Sequence, residues 1–299
     1  MSEPSPIQLS QVRPEAADEI TFVGTATTII SVADFSILTD PNFLHRGDRA
    51  YVGMGLSTKR VTEPALSVQQ LPELDFIVLS HHHGDHFDRI AARDLDHDLP
   101  VITEPHAAGK LRRQGFRSPI ALATWQSQVF TRPDAEVRVT SVPGKHAPRP
   151  LGYIVPPVMG SVLDFSRAGK RLLRMYITGD TLMHDGINAI AQRFAGIDLC
   201  LIHLGGTRIA GIFAHHGRQA RGSGAAHRRP AGSHPGPLRR LHAVQIAAAG
   251  FPQGRRPGRS HVRHPLPEPG RQLPPRPART VRSCRYGHRG FGAGRDVGP

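Results

Sequence analysis

The apolar residues of this chain fall into short runs that are interrupted by turn residues. Three runs near the start are separated by Gly24 and by the pair Ala33-Asp34, and they predict strands at 20–23, 27–32 and 35–39. Asp40-Pro41 ends the third of these strands. Comparable runs later in the chain predict strands at 75–80, 101–103, 136–142, 153–155, 161–165, 172–178 and 198–203.

Helical spacing of apolar residues is found between these strands, at 87–94, 107–114 and 188–194. Residues 42–72 are rich in glycine, and we expect them to form loops. Strands therefore come first in clusters and later alternate with helices. This order predicts a layered α/β (α+β) fold with two sheets rather than one doubly wound sheet.

Charge divides the chain at about residue 212. Residues 213–299 hold 17 arginines, no lysine and two acidic residues, whereas residues 1–212 hold 21 basic and 22 acidic residues. The formal net charge of +14 therefore belongs to the C-terminal part. A strongly basic protein can bind nucleic acid, but a nearly neutral N-terminal part argues against that function for most of the chain.

The sequence also indicates a cellular compartment. Residues 1–18 are polar and lack the apolar core of a signal peptide, and no apolar run approaches the length of a membrane span. The two cysteines, Cys200 and Cys284, do not suggest a disulfide framework, so we expect a cytoplasmic protein. Cys200 lies in an apolar run and is expected to be a buried small side chain rather than a nucleophile.

The most informative stretch follows the fourth predicted strand. It places His81, His83, Asp85 and His86 in a His-x-His-x-Asp-His pattern. Imidazole and carboxylate ligands crowded at the end of a strand are what a hydrolytic zinc site needs. Gly84 would let the backbone turn tightly enough for these side chains to converge. A His-rich surface loop is the weaker alternative, because a strand precedes the motif and a helical segment follows it.

Two later polar residues also follow predicted strands. His146 comes after the strand at 136–142, and Asp180 comes after the strand at 172–178. Taken alone, each would more often be a loop or turn residue. Because strand ends can meet at one rim of a two-sheet fold, we expect both side chains to join the metal site.

With these residues the chain resembles the metallo-β-lactamase superfamily, in particular the branch of the N-acylphosphatidylethanolamine-hydrolysing phospholipase D and the ascorbate-6-phosphate lactonase. The His-x-His-x-Asp-His signature, the two later ligands and the segment Ile-Leu-Thr-Asp-Pro at 37–41 match that branch, over roughly residues 20–211. The resemblance implies a four-layer αβ/βα sandwich and a metal-dependent hydrolase. It also implies a set of ligands, in which one zinc is held by His81, His83 and His146, a second by Asp85 and His86, and both are bridged by Asp180.

The chemistry implied by such a site is hydrolysis at neutral pH. Two divalent metals a few ångströms apart can share a hydroxide, because metal binding lowers the pKa of water to about 7. The metals also polarise the scissile carbonyl or phosphoryl oxygen. Asp85 is expected both to bind a metal and to orient the attacking water, so no Ser or Cys nucleophile is required.

Four further polar residues are weaker candidates. His82 lies between His81 and His83 in the alternating pattern, so it is expected to be structural or exposed rather than a ligand. His184 is expected at the surface rather than beside the substrate. His203 ends the last predicted strand and would either line the pocket or be a satisfied buried histidine. Asp40 is more readily a turn residue, or a group that supports a ligand, than a ligand itself.

The resemblance breaks after residue 212. The family pattern needs a last His for the second metal, expected near 235–240, yet residues 213–299 are rich in Arg, Gly, Pro, His and Ala without periodicity. Such a composition does not bury a core and predicts a missing or disordered C-terminal portion. The second zinc would then lose one ligand and bind weakly. The chain would also fold poorly, with apolar surface and open sheet edges left uncovered.

Two explanations compete for this segment: a basic tail that binds nucleic acid or an acidic partner, and a reading-frame shift near residue 212. Arg, Gly, Pro and Ala have GC-rich codons, which suits out-of-frame translation. When the degenerate codon positions are chosen suitably, shifting the reading frame forward by one base lets the codons of 214–218 encode Leu-Thr-Met-Asp-Gly. The same shift lets the codons of 236–241 encode Val-His-Tyr-Asp-Asp-Tyr. These strings resemble the missing family C-terminus, so a frameshifted translation is our hypothesis.

The sequence thus predicts a flexible segment at 1–18, a metallo-β-lactamase-like domain at 19–212 and a disordered Arg-, Gly- and Pro-rich tail at 213–299. The predicted function is zinc-dependent hydrolysis of an ester, lactone or phosphodiester in a small-molecule or lipid-like substrate, with two zinc ions in the intact site. A nucleic-acid-binding protein and an inactive metal-binding homologue are the alternatives. The sequence does not choose the bond or the oligomeric state.

Overall fold

The fold was determined from a computed structural model of the chain. The structure describes residues 4–9, 18–53, 55–147 and 155–203, together with strand backbones at 208–209, 212–213, 242–246 and 280–282. The domain boundaries predicted at 18 and 212 stay predictions, because most residues of the predicted tail and of the first segment lie outside the described residues.

The described residues form three α-helices and eighteen strands, many of them short. The helices are α1 (Arg89–Asp94), α2 (Pro105–Arg113) and α3 (Gly186–Arg193), and a single 3-10 turn spans Val68–Gln70. The strands are β1 (Ile7–Gln8), β2 (Glu19–Gly24), β3 (Thr27–Val32), β4 (Phe35–Thr39), β5 (Arg49–Gly53), β6 (Leu56–Lys59), β7 (Phe76–Val78), β8 (Val101–Thr103), β9 (Pro119–Ala121), β10 (Ser127–Thr131), β11 (Ala135–Pro143), β12 (Met159–Arg167), β13 (Lys170–Ile177), β14 (Leu199–His203), β15 (Arg208–Ile209), β16 (Ile212–Phe213), β17 (His242–Ile246) and β18 (Thr280–Arg282).

Most of these strands belong to two seven-stranded mixed sheets. The N-terminal sheet has the order β18-β2-β3-β4-β7-β8-β9, and the C-terminal sheet has the order β1-β10-β11-β12-β13-β14-β17. Strands β4, β7, β8 and β9 run parallel to one another, and so do β13, β14 and β17. The remaining strands form two short hairpins, β5–β6 and β15–β16.

The two sheets face each other across the main hydrophobic core. The rings of Phe76 from one sheet and Phe130 from the other stack with centroids 4.0 Å apart. Both rings are fully buried, as are those of Phe35 and Phe165. Removing each such side chain from water contributes about 1.5–3 kcal/mol. The inner faces of the sheets therefore hold the molecule together.

The helices cover the outer faces of the sheets. Ala91 of α1 and Leu111 of α2 are buried in a second core with residues of the N-terminal sheet. Ile190 of α3 is buried in a third core with residues of the C-terminal sheet. The layers therefore run helix, sheet, sheet, helix, which confirms the predicted four-layer αβ/βα sandwich.

The strands predicted from the sequence are found within a few residues of their expected positions, but β1, β9 and β10 were not predicted. The predicted strand at 153–155 lies largely outside the described residues. Residues 42–72 were expected to be loop-rich, and they also contain the hairpin of β5 and β6. Only Ala50 and Val52 of β5 are buried, so too few apolar positions alternate to indicate a strand.

Among the described residues, no helix combines the length and the apolar character needed to cross a bilayer.

Candidate metal centre

The polar residues singled out by the sequence lie where strands end. Asp40 follows β4, His81 follows β7 and His146 follows β11. Asp180 follows β13, and His203 is the last residue of β14. Because β4 is parallel to β7, and β13 is parallel to β14, the carboxyl ends of each pair lie at the same edge of their sheet.

A backbone hydrogen bond joins the two sheets at this edge. The amide of Met159, at the start of β12, donates to the carbonyl of Ser80 over 2.9 Å. Gly179 packs against Ser80 and has a φ of +58°. A Cβ at position 179 would lie 2.9 Å from the Cβ of Ser80. A larger residue would therefore be strained and would push the Asp180 loop away from the His81 loop.

Three buried imidazoles form the first group of candidate ligands. One ring nitrogen from each of His81, His83 and His146 lies within 4.8 Å of the others. The Nε2 of His81 and the Nδ1 of His83 are 3.0 Å apart. Zinc–nitrogen bonds of about 2.0–2.1 Å in a tetrahedral site place two ligand nitrogens about 3.3 Å apart, so this donor set fits a zinc ion.

Electrostatics keep these imidazoles available to a metal. Burial, reinforced by the neighbouring histidines, lowers the pKa of His81 well below its usual value and that of His83 to about 3. A metal ion binds the neutral imidazole and competes with protons for it. Both rings are therefore neutral and ready to bind a cation at neutral pH.

A second group of candidate ligands contains His81, His86 and Asp180, again with ligand atoms within 4.8 Å of one another. The Nε2 of His86 lies 3.1 Å from a carboxylate oxygen of Asp180. Burial by itself lowers the pKa of His86, but the charges of Asp180 and Asp40 together raise it well above its usual value. The two carboxylates thus favour a positive charge at His86, which is what a bound cation would supply.

Asp40 lies behind His86, on the side away from Asp180. Its buried carboxylate accepts hydrogen bonds from the amide and the hydroxyl of Ser80, each at 2.8 Å, and lies 3.5 Å from the Nδ1 of His86. Asp40 adopts a φ of +40°, which is uncommon for a residue other than glycine. This placement fits the expectation that Asp40 supports a ligand. A carboxylate commonly orients a metal-binding histidine by contacting the ring nitrogen that does not bind the metal.

His203 reaches the same carboxylate from the C-terminal sheet. Its Nε2 lies 3.5 Å from Asp40. Burial lowers the pKa of the ring, while Asp40 and a backbone hydrogen bond with Ala26 act in the opposite direction. The ring is buried, and both expectations for His203 stay predictions. Ligand atoms of Asp40, His86 and His203 also lie within 4.8 Å of one another, which makes them a third group able to hold a cation.

Asp85 lies on the same loop but outside these three groups. It is half-buried, and no set of described ligand atoms within 4.8 Å of one another includes it. Its roles as metal ligand and as the group that orients water therefore stay predictions. The last histidine, expected near 235–240, lies outside the described residues.

The other weak candidates lie away from the centre. His82 turns toward helix α2, where its Nε2 lies 2.9 Å from the side-chain oxygen of Gln114. His184 is half-buried rather than at the surface, and its Nδ1 accepts from the amide of Gly186 at the start of α3. Cys200 is buried, and burial raises the pKa of its thiol to about 12, so it is not a nucleophile at neutral pH.

Gly84 is needed in the His-rich loop for a reason that the sequence did not reveal. A Cβ at this position would lie 2.8 Å from both the backbone nitrogen and the oxygen of Tyr51. The Gly84 amide donates to that same carbonyl, also at 2.8 Å. Close packing against the β5–β6 hairpin, rather than a tight turn, therefore excludes a side chain here.

Comparison with known proteins was made by sequence and by structure. Residues 36–234 match a family described as the beta-lactamase superfamily domain. An N-acyl-phosphatidylethanolamine-hydrolyzing phospholipase D from Caenorhabditis elegans is 27% identical over 135 residues, which cover 42% of this chain and 37% of that protein. A protein named a UPF0173 metal-dependent hydrolase from Anaeromyxobacter sp. (strain K) is 24% identical over 212 residues, which cover 65% of this chain and 68% of that protein.

The fold is also found among solved structures. A protein described as a possible metal-dependent hydrolase from Veillonella parvula has a TM-score of 0.58 at 20% identity, with 69% of this chain and 80% of that chain covered. At this identity the similarity concerns the fold. The chain spans just over a third of the length of the nematode relative, so the activity of that whole protein is not transferred with the match.

Proposed function

This chain belongs to the metallo-β-lactamase superfamily of metal-dependent hydrolases, and we propose that it uses zinc to cleave an ester, a lactone or a phosphodiester. The observation that carries the proposal is the convergence of His81, His83 and His146 beside His86 and Asp180 at one buried edge. Imidazole nitrogens and a carboxylate are ligands that zinc accepts, and they favour zinc over magnesium or calcium, which prefer oxygen ligands.

The residues of the candidate metal centre would have different roles. His81, His83 and His146 would hold a first zinc, while His86, Asp85 and Asp180 would contribute to a second. When bound, these ions supply Lewis acidity, which lowers the pKa of water and polarises the bond to be cleaved. Asp85 would orient the attacking water through its carboxylate.

The kind of substrate is supported by the relatives. The nematode protein is named for the hydrolysis of an N-acyl-phosphatidylethanolamine, a lipid that contains a phosphodiester. The Anaeromyxobacter relative is named only as a metal-dependent hydrolase. A small-molecule or lipid-like ester or phosphoester therefore remains the substrate class that we propose.

The proposal is tested by measuring hydrolysis before and after metal removal. The purified protein is treated with a chelator, reloaded with zinc, iron or manganese, and assayed on aryl esters, lactones and bis(4-nitrophenyl) phosphate. We expect zinc to restore the greatest activity on at least one of these substrates. Activity that survives complete chelation would contradict the proposal.

A pair of variants separates the predicted catalytic carboxylate from a surface carboxylate. Asp85→Asn should lower kcat by about 10²-fold or more, since general-base assistance contributes about that much. Asp98→Asn is the matched control, because Asp98 pairs with Arg117 at the surface. An unchanged kcat in Asp85→Asn would instead favour a metal-binding homologue in which Asp85 does no catalysis.

A further inference from the structure

A cavity of about 740 Å³ opens beside the metal centre. It is bordered by His83, by residues of strand β5 and by helix α2. Pro156 also lines it, and the carbonyl of that residue lies 3.4 Å from the Nδ1 of His146. The cavity therefore touches the centre on the side of the first group of ligands.

Helix α2 turns a cationic face toward this cavity. His106, Lys110 and Arg113 all line it, and their spacing places them on one side of the helix. Ala107 and Leu111 lie on another side and are fully buried in the second core. Because the buried side fixes the rotation of the helix, the cationic side is held toward the cavity.

Two of these groups, Lys110 and Arg113, are not neutralised by described carboxylates, whereas His106 lies 3.6 Å from Glu104. Arg113 donates to the carbonyl of Gly109 in its own helix, and neither Lys110 nor Arg113 forms an ion pair with any described acidic residue. None of the described residues that line the cavity is acidic. The potential in the cavity is therefore positive.

Other residues that line the cavity are apolar. Val52 and Tyr51 come from the β5–β6 hairpin, and Val155, Pro156 and Pro157 come from the segment before β12. The Tyr51 side chain is 59% exposed and is therefore accessible to a ligand in the cavity. A ligand with a hydrocarbon or ring portion would cover these residues.

We propose that this cavity binds the substrate through an anionic group, a phosphate or a carboxylate, held by Lys110 and Arg113. His106 would add a hydrogen bond, and the apolar part of the substrate would lie against Tyr51 and Val155. This anionic group is not part of the bond that is cleaved. The scissile bond would reach the metal centre past His83. This inference rests on the proposed function, because it names the substrate class of the same site.

Two esters that differ in charge test the proposal. The zinc-loaded protein is assayed with mono-4-nitrophenyl adipate, which carries a carboxylate, and with 4-nitrophenyl hexanoate, which does not. The double variant Lys110→Gln/Arg113→Gln should raise KM for the adipate ester by about tenfold or more, as expected for lost hydrogen bonds to a charged group. KM for the hexanoate ester and kcat for both should stay unchanged.

Arg112→Gln is the matched control, because Arg112 lies on the same helix but outside the cavity, where it donates to the carbonyl of Pro119. This variant should leave KM for both esters as in the wild type. An equal rise in KM for the two esters in the double variant, or no rise for either, would overturn the proposal.

A binding measurement keeps this proposal separate from the proposed function. Calorimetry on the zinc-loaded protein compares phenylphosphonate and benzoate with methyl phenyl sulfone, a neutral molecule of similar shape. If the double variant weakens binding of either anion but not of the sulfone, the anionic site stands even when neither ester is hydrolysed. The anion that binds more tightly then indicates whether the site prefers a phosphate group or a carboxylate. Equal binding of both anions by the wild type and the double variant would overturn the inference while leaving hydrolysis untouched.

Discussion

At the scale of single residues, the Asp40 carboxylate connects candidate ligands from both sheets. It accepts a hydrogen bond from the Ser80 hydroxyl, and it lies 3.5 Å from the Nδ1 of His86 and 3.5 Å from the Nε2 of His203. A negative charge is therefore held beside two candidate ligands.

Asp40→Asn should weaken the second metal more than the first. The variant removes the charge that faces the Nδ1 of His86, and loss of such a supporting carboxylate costs about 10–100-fold in metal affinity. Zinc titration of the two sites by calorimetry measures the effect. Asp34→Asn is the control, because Asp34 also has a positive φ and an ion pair, with Arg167, but lies away from the centre. Equal losses in the two variants would contradict the role given to Asp40.

Part of the candidate site could be predicted from the sequence. Asp40, His81, His146, Asp180 and His203 each lie at or just after the end of an apolar run, which a sequence reveals. The contacts of the Asp40 carboxylate with Ser80, His86 and His203 join residues far apart in the chain, and no spacing in the sequence indicates them.

The two metals should also respond differently to pH. The pKa of His83 is lowered to about 3, so protons compete for the first group only well below the usual histidine pKa of 6.5. The pKa of His86 is raised above 6.5, so a proton must already be displaced from it at neutral pH. On acidification from about pH 8 to about pH 5, the second metal should therefore leave first. Metal analysis after dialysis at each pH checks the order, and simultaneous release would contradict it.

At the scale of elements, one buried carboxylate joins helix α1 to the loop after β4. Asp88 precedes the helix and accepts hydrogen bonds from the amides of Ile90 and Ala91. It also accepts from the amides of Phe43 and Leu44, at 2.5 and 2.6 Å. The helix that follows the His-rich loop is thereby anchored to the segment that contains Asp40.

Asp88→Ala should lower the free energy of unfolding by about 2–3 kcal/mol, because it removes a helix cap and leaves buried amides without a partner. Asp88→Asn, which keeps an acceptor, should cost less. Urea denaturation followed by circular dichroism measures both. Asp94→Ala, which removes the ion pair with the exposed Arg93 in the same helix, should change the stability less. A loss of the same size in Asp94→Ala would show that Asp88 has no special structural role.

The elements that the sequence predicted best are those with many apolar positions. Strands β3, β4 and β11 are almost wholly buried on at least one face, and alternation or continuous apolar character indicates them clearly. The hairpin β5–β6 was missed because only Ala50 and Val52 of β5 are buried, and because its backbone contact with Gly84 leaves no pattern in the sequence. Its place beside the centre could not be predicted from local pattern.

At the scale of the whole molecule, the order of strands and helices predicted a layered α/β fold with two sheets, and the resemblance to the metallo-β-lactamase superfamily supplied the four-layer arrangement. The C-terminal part is a different case. Backbone strands His242–Ile246 and Thr280–Arg282 pair with β14 and β2, and the other residues after 213 lie outside the described residues. The hypothesis of a shifted reading frame after about residue 212 therefore stays a prediction about the gene.

The frame hypothesis predicts a difference in metal content between two proteins. The chain as written should hold its second zinc weakly, whereas a protein translated from a frame-restored gene should hold two zinc ions tightly. Sequencing the gene decides the premise, since the shifted frame must encode His-Tyr-Asp-Asp near residues 237–240. Two tightly held zinc ions in the chain as written would contradict the predicted loss of a ligand.

The alternative of a basic tail makes its own prediction. Binding of DNA or RNA that weakens steeply with salt, and that is lost on deletion of residues 213–299, would support a nucleic-acid function. Because the charge of the first 212 residues is nearly balanced, we expect no such binding from them. Filter binding at several salt concentrations, with the full chain and the deletion compared, measures this.

The central claim, a zinc centre built on His81, His83 and His146, is tested most directly by counting the zinc bound per chain. Inductively coupled plasma mass spectrometry is applied after gel filtration in metal-free buffer, to the wild type and to His146→Ala. We predict one tightly held zinc in the wild type and its loss in the variant, while circular dichroism shows the fold unchanged. A wild type that retains no zinc, or a variant that retains as much as the wild type, would contradict the claim.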